Sequence, residues 1–284
     1  LRHSSAASDV YKRQNFGRRV DYVRISVTDR CDLRCKYCMP ESNPFFYEKK
    51  EILSTRKLES ISNALIKIGI KKIRITGGEP LIRKDIIQYM SFLSKKLKQS
   101  KIDELLLTTN GTQLLKYAST LSDLGVKRVN VSLDSLIDQK FNFITNGGKL
   151  DQVLKGIFAA KEKNISIKIN TVLLNKFNDD EIIPIMEWCA KNEFKLSFIE
   201  VMPVGDVPSS RSLQYLSVKK AKEIIAKKYE LIESNLRSSG PSSYFNCKKL
   251  NSFVGFISPI SDHFCLTCNR IRVTSNGVIY PCLG

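Results

Sequence analysis

Cys31, Cys35 and Cys38 form a C-x3-C-x2-C array within Arg30–Pro40, so one short loop can offer three thiolates to a metal centre. Thiolates favour zinc, copper(I) or iron–sulfur centres. Three protein ligands leave one coordination position open, which suits a reactive site better than a closed structural one. A zinc loop completed by a distant residue is the structural alternative. A second trio, Cys265, Cys268 and Cys282, is spaced C-x2-C-x13-C, with Arg270 and Arg272 following its second member. Taken alone it reads as a zinc ribbon completed by His263 or Cys247. Like the upstream array, it supplies three thiolates without an obvious fourth ligand. Asn276-Gly277, between Arg270–Thr274 and Val278–Tyr280, predicts a tight hairpin that returns the chain toward the paired cysteines.

Alternating β-rich and helical runs must position these groups. Strands are predicted at Tyr22–Val27, Lys72–Thr76, Glu104–Thr108, Arg128–Leu133, Ser166–Leu173 and Leu196–Glu200. Between them apolar residues recur at helical spacing: Leu58, Ile61, Leu65 and Ile68; Leu114, Tyr117, Ala118, Leu121 and Leu124; Val153, Ile157 and Ala160; Ile182, Ile185, Met186 and Cys189. Cys189 therefore reads as a packed core residue. Strict β-α alternation implies an α/β fold with a parallel sheet, either doubly wound or curled into a partial barrel.

A parallel strand buried on both faces is normally apolar throughout, but these alternate. Val23, Ile25 and Val27 interleave with Arg24 and Ser26; Ile73 and Ile75 with Arg74; Val129, Val131 and Leu133 with Asn130 and Ser132; Ile165, Ile167 and Ile169 with Lys168 and Asn170. A half-solvated open sheet would read this way. A curved sheet around a wet cationic cavity explains the repetition better. Chemistry in such folds sits on the loops after the strands. These are the cysteine loop, Gly77-Gly78-Glu79-Pro80, Thr108-Thr109-Asn110-Gly111, Ser132-Leu133-Asp134-Ser135 and Glu200-Val201-Met202-Pro203.

Composition sets the outer bounds. The sequence has 284 residues, eight cysteines and a net charge of +18. That charge calls for an anionic partner: nucleic acid, an acidic membrane surface, a polyphosphate or an acidic protein. The lysine-rich stretches at 95–101 and 219–228 read as solvated helix faces, because they lack interleaved aromatics. The cysteine spacing points to a reducing interior, and no apolar run is long enough for a transmembrane helix. Residues 1–14 lack an initiator Met and any apolar period, and read as a leader or scar outside the fold. Residues 15–217 then form the barrel region and 218–284 a C-terminal region with the second trio.

The C-x3-C-x2-C loop followed one β-α unit later by Gly-Gly-Glu-Pro resembles the radical S-adenosylmethionine enzymes. That resemblance implies a partial (β/α)6 TIM-like barrel and a 4Fe–4S cluster on Cys31, Cys35 and Cys38. Its open iron would chelate S-adenosyl-L-methionine, whose one-electron reduction gives a 5′-deoxyadenosyl radical. Phe16-Gly17-Arg18-Arg19, Arg24 to Cys31, Arg74 to Pro80 and Cys268-Asn269-Arg270-Ile271-Arg272 narrow the resemblance. They are similar to the GTP-cyclising family that begins molybdenum cofactor biosynthesis. For that family the resemblance implies a second 4Fe–4S cluster on Cys265, Cys268 and Cys282. It also implies S-adenosyl-L-methionine contacts at Tyr37, Gly78, Ser132 and Met202, and GTP contacts at Arg24, Arg74, Thr108, Lys168, Arg270 and Arg272, with Arg270 and Arg272 acting in catalysis.

The implied reaction joins C3′ of the ribose to C8 of guanine, giving 3′,8-cyclo-7,8-dihydro-GTP. The implied partners are GTP, an electron donor and a downstream cyclic pyranopterin monophosphate synthase, in the cytoplasm, or in the mitochondrial matrix if the leader is a transit remnant. Neither nucleic acid nor membrane is expected as a partner, and homodimer assembly is left open. The family pattern runs on past the third cysteine of the second trio to a Gly-Gly tail, whereas this sequence stops at Gly284, so a truncated C-terminal region is expected. A peptide-modifying radical maturase and a basic zinc protein that contacts nucleic acid remain as alternatives at this point.

Overall fold

The computed structural model describes residues 13–14, 18–39, 46–202, 214–236, 240–261 and 268–281. Six parallel strands lie side by side in chain order: β3 (Tyr22–Ser26), β4 (Lys72–Thr76), β5 (Glu104–Thr109), β6 (Arg128–Ser132), β7 (Ser166–Leu173) and β8 (Lys195–Glu200). They match the predicted strands to within a residue at each end. Val23, Ile25, Ile73, Ile75, Val129, Val131 and Ile169 are fully buried on the helix-facing side. Burying each such β-branched side chain is worth about 1.5–3 kcal/mol. That burial is why their period-2 spacing fixes both strand and face.

The covering helices are α1 (Thr55–Lys67), α2 (Ile86–Lys98), α3 (Leu114–Asp123), α4 (Asp138–Thr145), α5 (Leu150–Glu162), α6 (Ile182–Lys191) and α7 (Val218–Ala226). Ser54 and Ser217 cap α1 and α7 by accepting from the N–H groups of Lys57 and Lys220. The β6–β7 connection holds two helices where the periodicity predicted only the second. α4 is short, and its buried face rests on Phe141 and Ile144, too few apolar positions to declare a period. As expected, Cys189 lies in the core and Lys95, Lys98, Lys219 and Lys220 are exposed. Among the described residues no helix is long and apolar enough to cross a membrane.

The C-terminal segment extends the same sheet from both edges. β9 (Ile232–Glu233), β10 (Ser243–Cys247) and β11 (Ser252–Ile257) join through β11, which runs parallel to β8. β12 (Arg270–Val273) joins the opposite edge parallel to β3 and turns through Gly277, at φ +96°, into β13 (Ile279–Tyr280). This is the hairpin that Asn276-Gly277 predicted. The resulting sheet has 11 strands in the order β13-β12-β3-β4-β5-β6-β7-β8-β11-β10-β9 and is a partial, unclosed TIM-like barrel. Lys168 on β7 donates to Tyr244 on β10, and residues from β3 through β12 line one cavity. The sheet therefore curls.

Two sequence expectations need correction. Arg13–Gln14 (β1), assigned to the leader, pair with Arg18–Arg19 (β2), while residues 1–12 lie outside the described residues. Cys247, the candidate fourth zinc ligand, is wholly buried in the apolar core.

Candidate active site

The cysteine loop follows β3 and is held by its backbone. Cys38 N–H and Met39 N–H both donate to the Cys35 carbonyl, closing a turn, and Arg34 N–H and Lys36 N–H donate to the Thr145 and Ile144 carbonyls at the end of α4. Gly-Gly-Glu-Pro after β4 packs directly against it. Gly78 N–H donates to the Thr28 carbonyl and Glu79 N–H to the Arg30 carbonyl, both at 2.8 Å. A Cβ on Gly78 would fall 2.0 Å from the Arg30 oxygen, and one on Gly77 would fall 2.8 Å from the Thr28 oxygen. The paired glycines thus let the two loops touch backbone to backbone. Glu79, fully buried, accepts from Leu81 N–H, the Thr109 hydroxyl and Asn110 N–H, and so ties the loop after β4 to the loop after β5.

Cys31, Cys35 and Cys38 are free thiols. Burial pushes the Cys31 thiol up to about 11 and the Cys35 thiol well above its usual range, so neither ionises there without a cationic centre to compensate. Among the described residues no three His, Cys, Asp or Glu side chains converge as ligands of a single ion would. Three separate soft donors on one loop, two half-buried and Cys38 exposed, fit the corners of an iron–sulfur cluster. Of the second trio only Cys268 is described, half-buried and free immediately ahead of β12; Cys265 and Cys282 lie outside the described residues.

The sheet encloses a cavity of about 860 Å³. Arg24, Arg74, Thr108, Lys168, Arg270 and Arg272 all line it, together with Ser132 and Met202. Arg74 is 5% exposed and Lys168 9%, so the polar face of the strands is enclosed and is not solvated as an open sheet. Arg74 Nε donates to the Tyr22 hydroxyl and its Nη1 to the Leu107 carbonyl (2.7 Å) and Thr108 Oγ1 (3.3 Å). Lys168 Nζ is held by Tyr244 (2.9 Å) and Ser242 (3.2 Å). Burial, then Arg272 and Arg270, pull the Arg24 guanidinium down to about 9; it stays protonated at neutral pH. Burial likewise lowers Arg74 and Lys168. Arg24 Nε, Asn130 Oδ1 and Asn170 Oδ1 are buried without a hydrogen-bond partner among the described residues. Such orphaned groups are costly unless a ligand completes them.

Tyr37 and Gly78 do not line this cavity. The Tyr37 hydroxyl donates to Asp134 (2.7 Å), which also accepts from Val172 N–H (2.8 Å), and Val172 is a lining residue. Burial raises the Asp134 carboxyl to about 6. Asn130 and Asn170 line the cavity as the alternation implied, whereas the sequence reading missed Arg128, Tyr22 and Tyr244 as lining residues. Arg128 and Tyr22 lie two residues from Asn130 and Arg24 on β6 and β3, so period-2 extension would have found them.

A cysteine-bearing loop at the mouth of a partial barrel defines the class. The Radical SAM superfamily model matches residues 25–189, and the Molybdenum Cofactor Synthesis C model matches residues 194–284. A crystal structure of Streptococcus suis SuiB bound to S-adenosylmethionine shares the fold at TM-score 0.63 and 18% identity, over 93% of this chain and 58% of that one. A GTP 3′,8-cyclase of Brucella ovis is 44% identical over 95% of this chain and 78% of its own length, and that of Brucella suis is equally similar. The chain belongs to the GTP 3′,8-cyclase family of radical S-adenosylmethionine enzymes. Its cofactors are accordingly two 4Fe–4S clusters and S-adenosyl-L-methionine. The zinc-protein and peptide-maturase alternatives give way to this relationship.

Proposed function

We infer that the cavity binds GTP and that the chain catalyses its conversion to 3′,8-cyclo-7,8-dihydro-GTP, opening molybdenum cofactor biosynthesis. The observation that carries this reading is the buried, unpartnered Arg24 Nε beside Arg270 and Arg272 in a cavity that also holds Arg74 and Lys168. A triphosphate matches that surplus of positive charge, since guanidinium forks grip phosphate oxygens in pairs. Arg74 is pre-aimed by Tyr22 and the Leu107 carbonyl, and Lys168 by Tyr244 and Ser242, so little side-chain freedom is lost on binding. Thr108 adds a hydroxyl beside Arg74.

Cys31, Cys35 and Cys38 would hold the reducing cluster, and Tyr37, Gly78, Ser132 and Met202 would hold S-adenosyl-L-methionine. Cys265, Cys268 and Cys282 would hold the second cluster near the base. When bound, these groups supply the electron and the hydrogen-abstracting radical. The curled sheet excludes bulk water from the ribose. An electron donor and a downstream cyclic pyranopterin monophosphate synthase are the proposed partners.

Arg270→Ala in the anaerobically reconstituted protein, given GTP, S-adenosyl-L-methionine and a reductant, should lose cyclised product far more than 5′-deoxyadenosine. Equal losses of the two would contradict the role of Arg270 in orienting the nucleotide.

A further inference from the structure

We propose that Asn110 sets the reduction potential of the first cluster by donating a hydrogen bond to the Cys31 sulfur. Asn110 opens the loop after β5, and its Nδ2 lies 3.6 Å from Cys31 Sγ and 2.7 Å from Asp32 Oδ1. The orientation of its amide is fixed from the other side. Asn110 Oδ1 accepts from Thr112 N–H (3.0 Å), so the NH₂ end must face Cys31. Its backbone is fixed as well, since Asn110 N–H donates to the buried Glu79 carboxylate at 2.7 Å. Leu33 N–H is a second donor to the same sulfur, at 3.4 Å.

N–H donors to a ligating sulfur stabilise the more negative, reduced cluster, and a nearby carboxylate destabilises it. Asn110 acts on both sides of that balance. It donates toward the sulfur, and it shares with the Thr112 hydroxyl (2.6 Å) the task of occupying the Asp32 carboxylate, which is next in sequence to the ligand. Both effects raise the potential, making the first electron easier to deliver. Asn110 is a positioning and tuning residue, since it touches the ligand sulfur and is not among the residues lining the cavity. The proposal requires only the family's cluster on Cys31 and is independent of where the nucleotide binds.

The test is an EPR-monitored potentiometric titration of the fully reconstituted protein, with the first cluster identified as the signal that changes when S-adenosyl-L-methionine is added. Asn110→Ala should shift that midpoint to more negative values. The reduced-to-oxidised ratio at a fixed potential should fall about tenfold, equivalent to about 59 mV for one electron. Asn110→Asp, which keeps the shape and replaces a donor with a charge, should shift it further in the same direction. Asp32→Asn should shift it the opposite way. A merely structural Asn110 would lower cluster loading and leave the loaded fraction at the wild-type midpoint. That result, or an Asn110→Asp midpoint equal to wild type, overturns the proposal.

Discussion

Replacing Arg24 with Met should make the nucleotide-free protein more stable and remove most of the stabilisation that GTP confers. Arg24 sits on β3 with Arg272 beside it in register on β12 and Arg74 on β4, and its Nε has no partner. Burial and the neighbouring arginines hold its guanidinium at about 9, which against its ordinary value corresponds to about 5 kcal/mol of disfavoured charge. Part of the side chain faces water in the cavity, so about half of that, ~2–3 kcal/mol, is the gain expected from a neutral isostere. At roughly 2 °C per kcal/mol for a chain of this size, the apparent Tm should rise by about 5 °C. GTP closes that gap: at 100 times Kd it adds about 2.7 kcal/mol to a protein that binds it, and Arg24→Met should lose most of that increment. The assay is thermal unfolding of anaerobically reconstituted wild type and variant across a GTP titration. If Arg24→Met melts below wild type without nucleotide, or gains as much from GTP, the guanidinium is not held in reserve for phosphate and the reasoning fails.

Two further perturbations probe the loops. In Gly78→Ala the new Cβ meets the Arg30 carbonyl at 2.0 Å, and backbone cannot yield cheaply; this should separate the two loops, and iron and sulfide counts should show loss of the first cluster while the second is retained. Burial raises the Glu79 carboxyl from its ordinary 4.5 to about 7, so between those values the folded protein holds a proton that the unfolded chain has released. Stability of the cofactor-free protein should therefore fall by up to ~3 kcal/mol as pH rises from 4.5 to 7, and urea titrations of Glu79→Gln should show a flatter profile over that window.

The parallel strands were legible because β-branched residues alternate with polar ones, and Arg24, Arg74 and Lys168 could be placed inside a cavity on that alternation alone. What the alternation cannot show is which strands meet across the curl. The orphaned Asn130 and Asn170 acceptors were hidden for this reason, since a polar residue on a strand gives no sign of whether a neighbour satisfies it. β10 and β11 were not predicted: Asn246, Lys248 and Lys249 interrupt the apolar pattern, and β11 is stabilised by pairing with β8, far away in sequence. Paired glycines such as those of Gly-Gly-Glu-Pro ordinarily suggest close backbone approach to a ligand. At Gly78 the space is already taken by the Arg30 carbonyl, so the residue type reports a contact between two protein loops, and such a contact leaves the same mark in a sequence as a ligand does.

The cavity draws its charge from both ends of the chain. Arg270 and Arg272 reach Arg24 only because β12 adds to the β3 edge, and Lys168 is held only because Tyr244 and Ser242 come in from the β8 edge. A chain ending after β8 would leave Arg24 with fewer like-charged neighbours and Lys168 buried without an acceptor. Such a chain is thus the less strained at Arg24 and the more strained at Lys168. The central strands and the C-terminal strands make a site for a triphosphate only when folded as one sheet, because the repulsion that an anion relieves is assembled between β3 and β12.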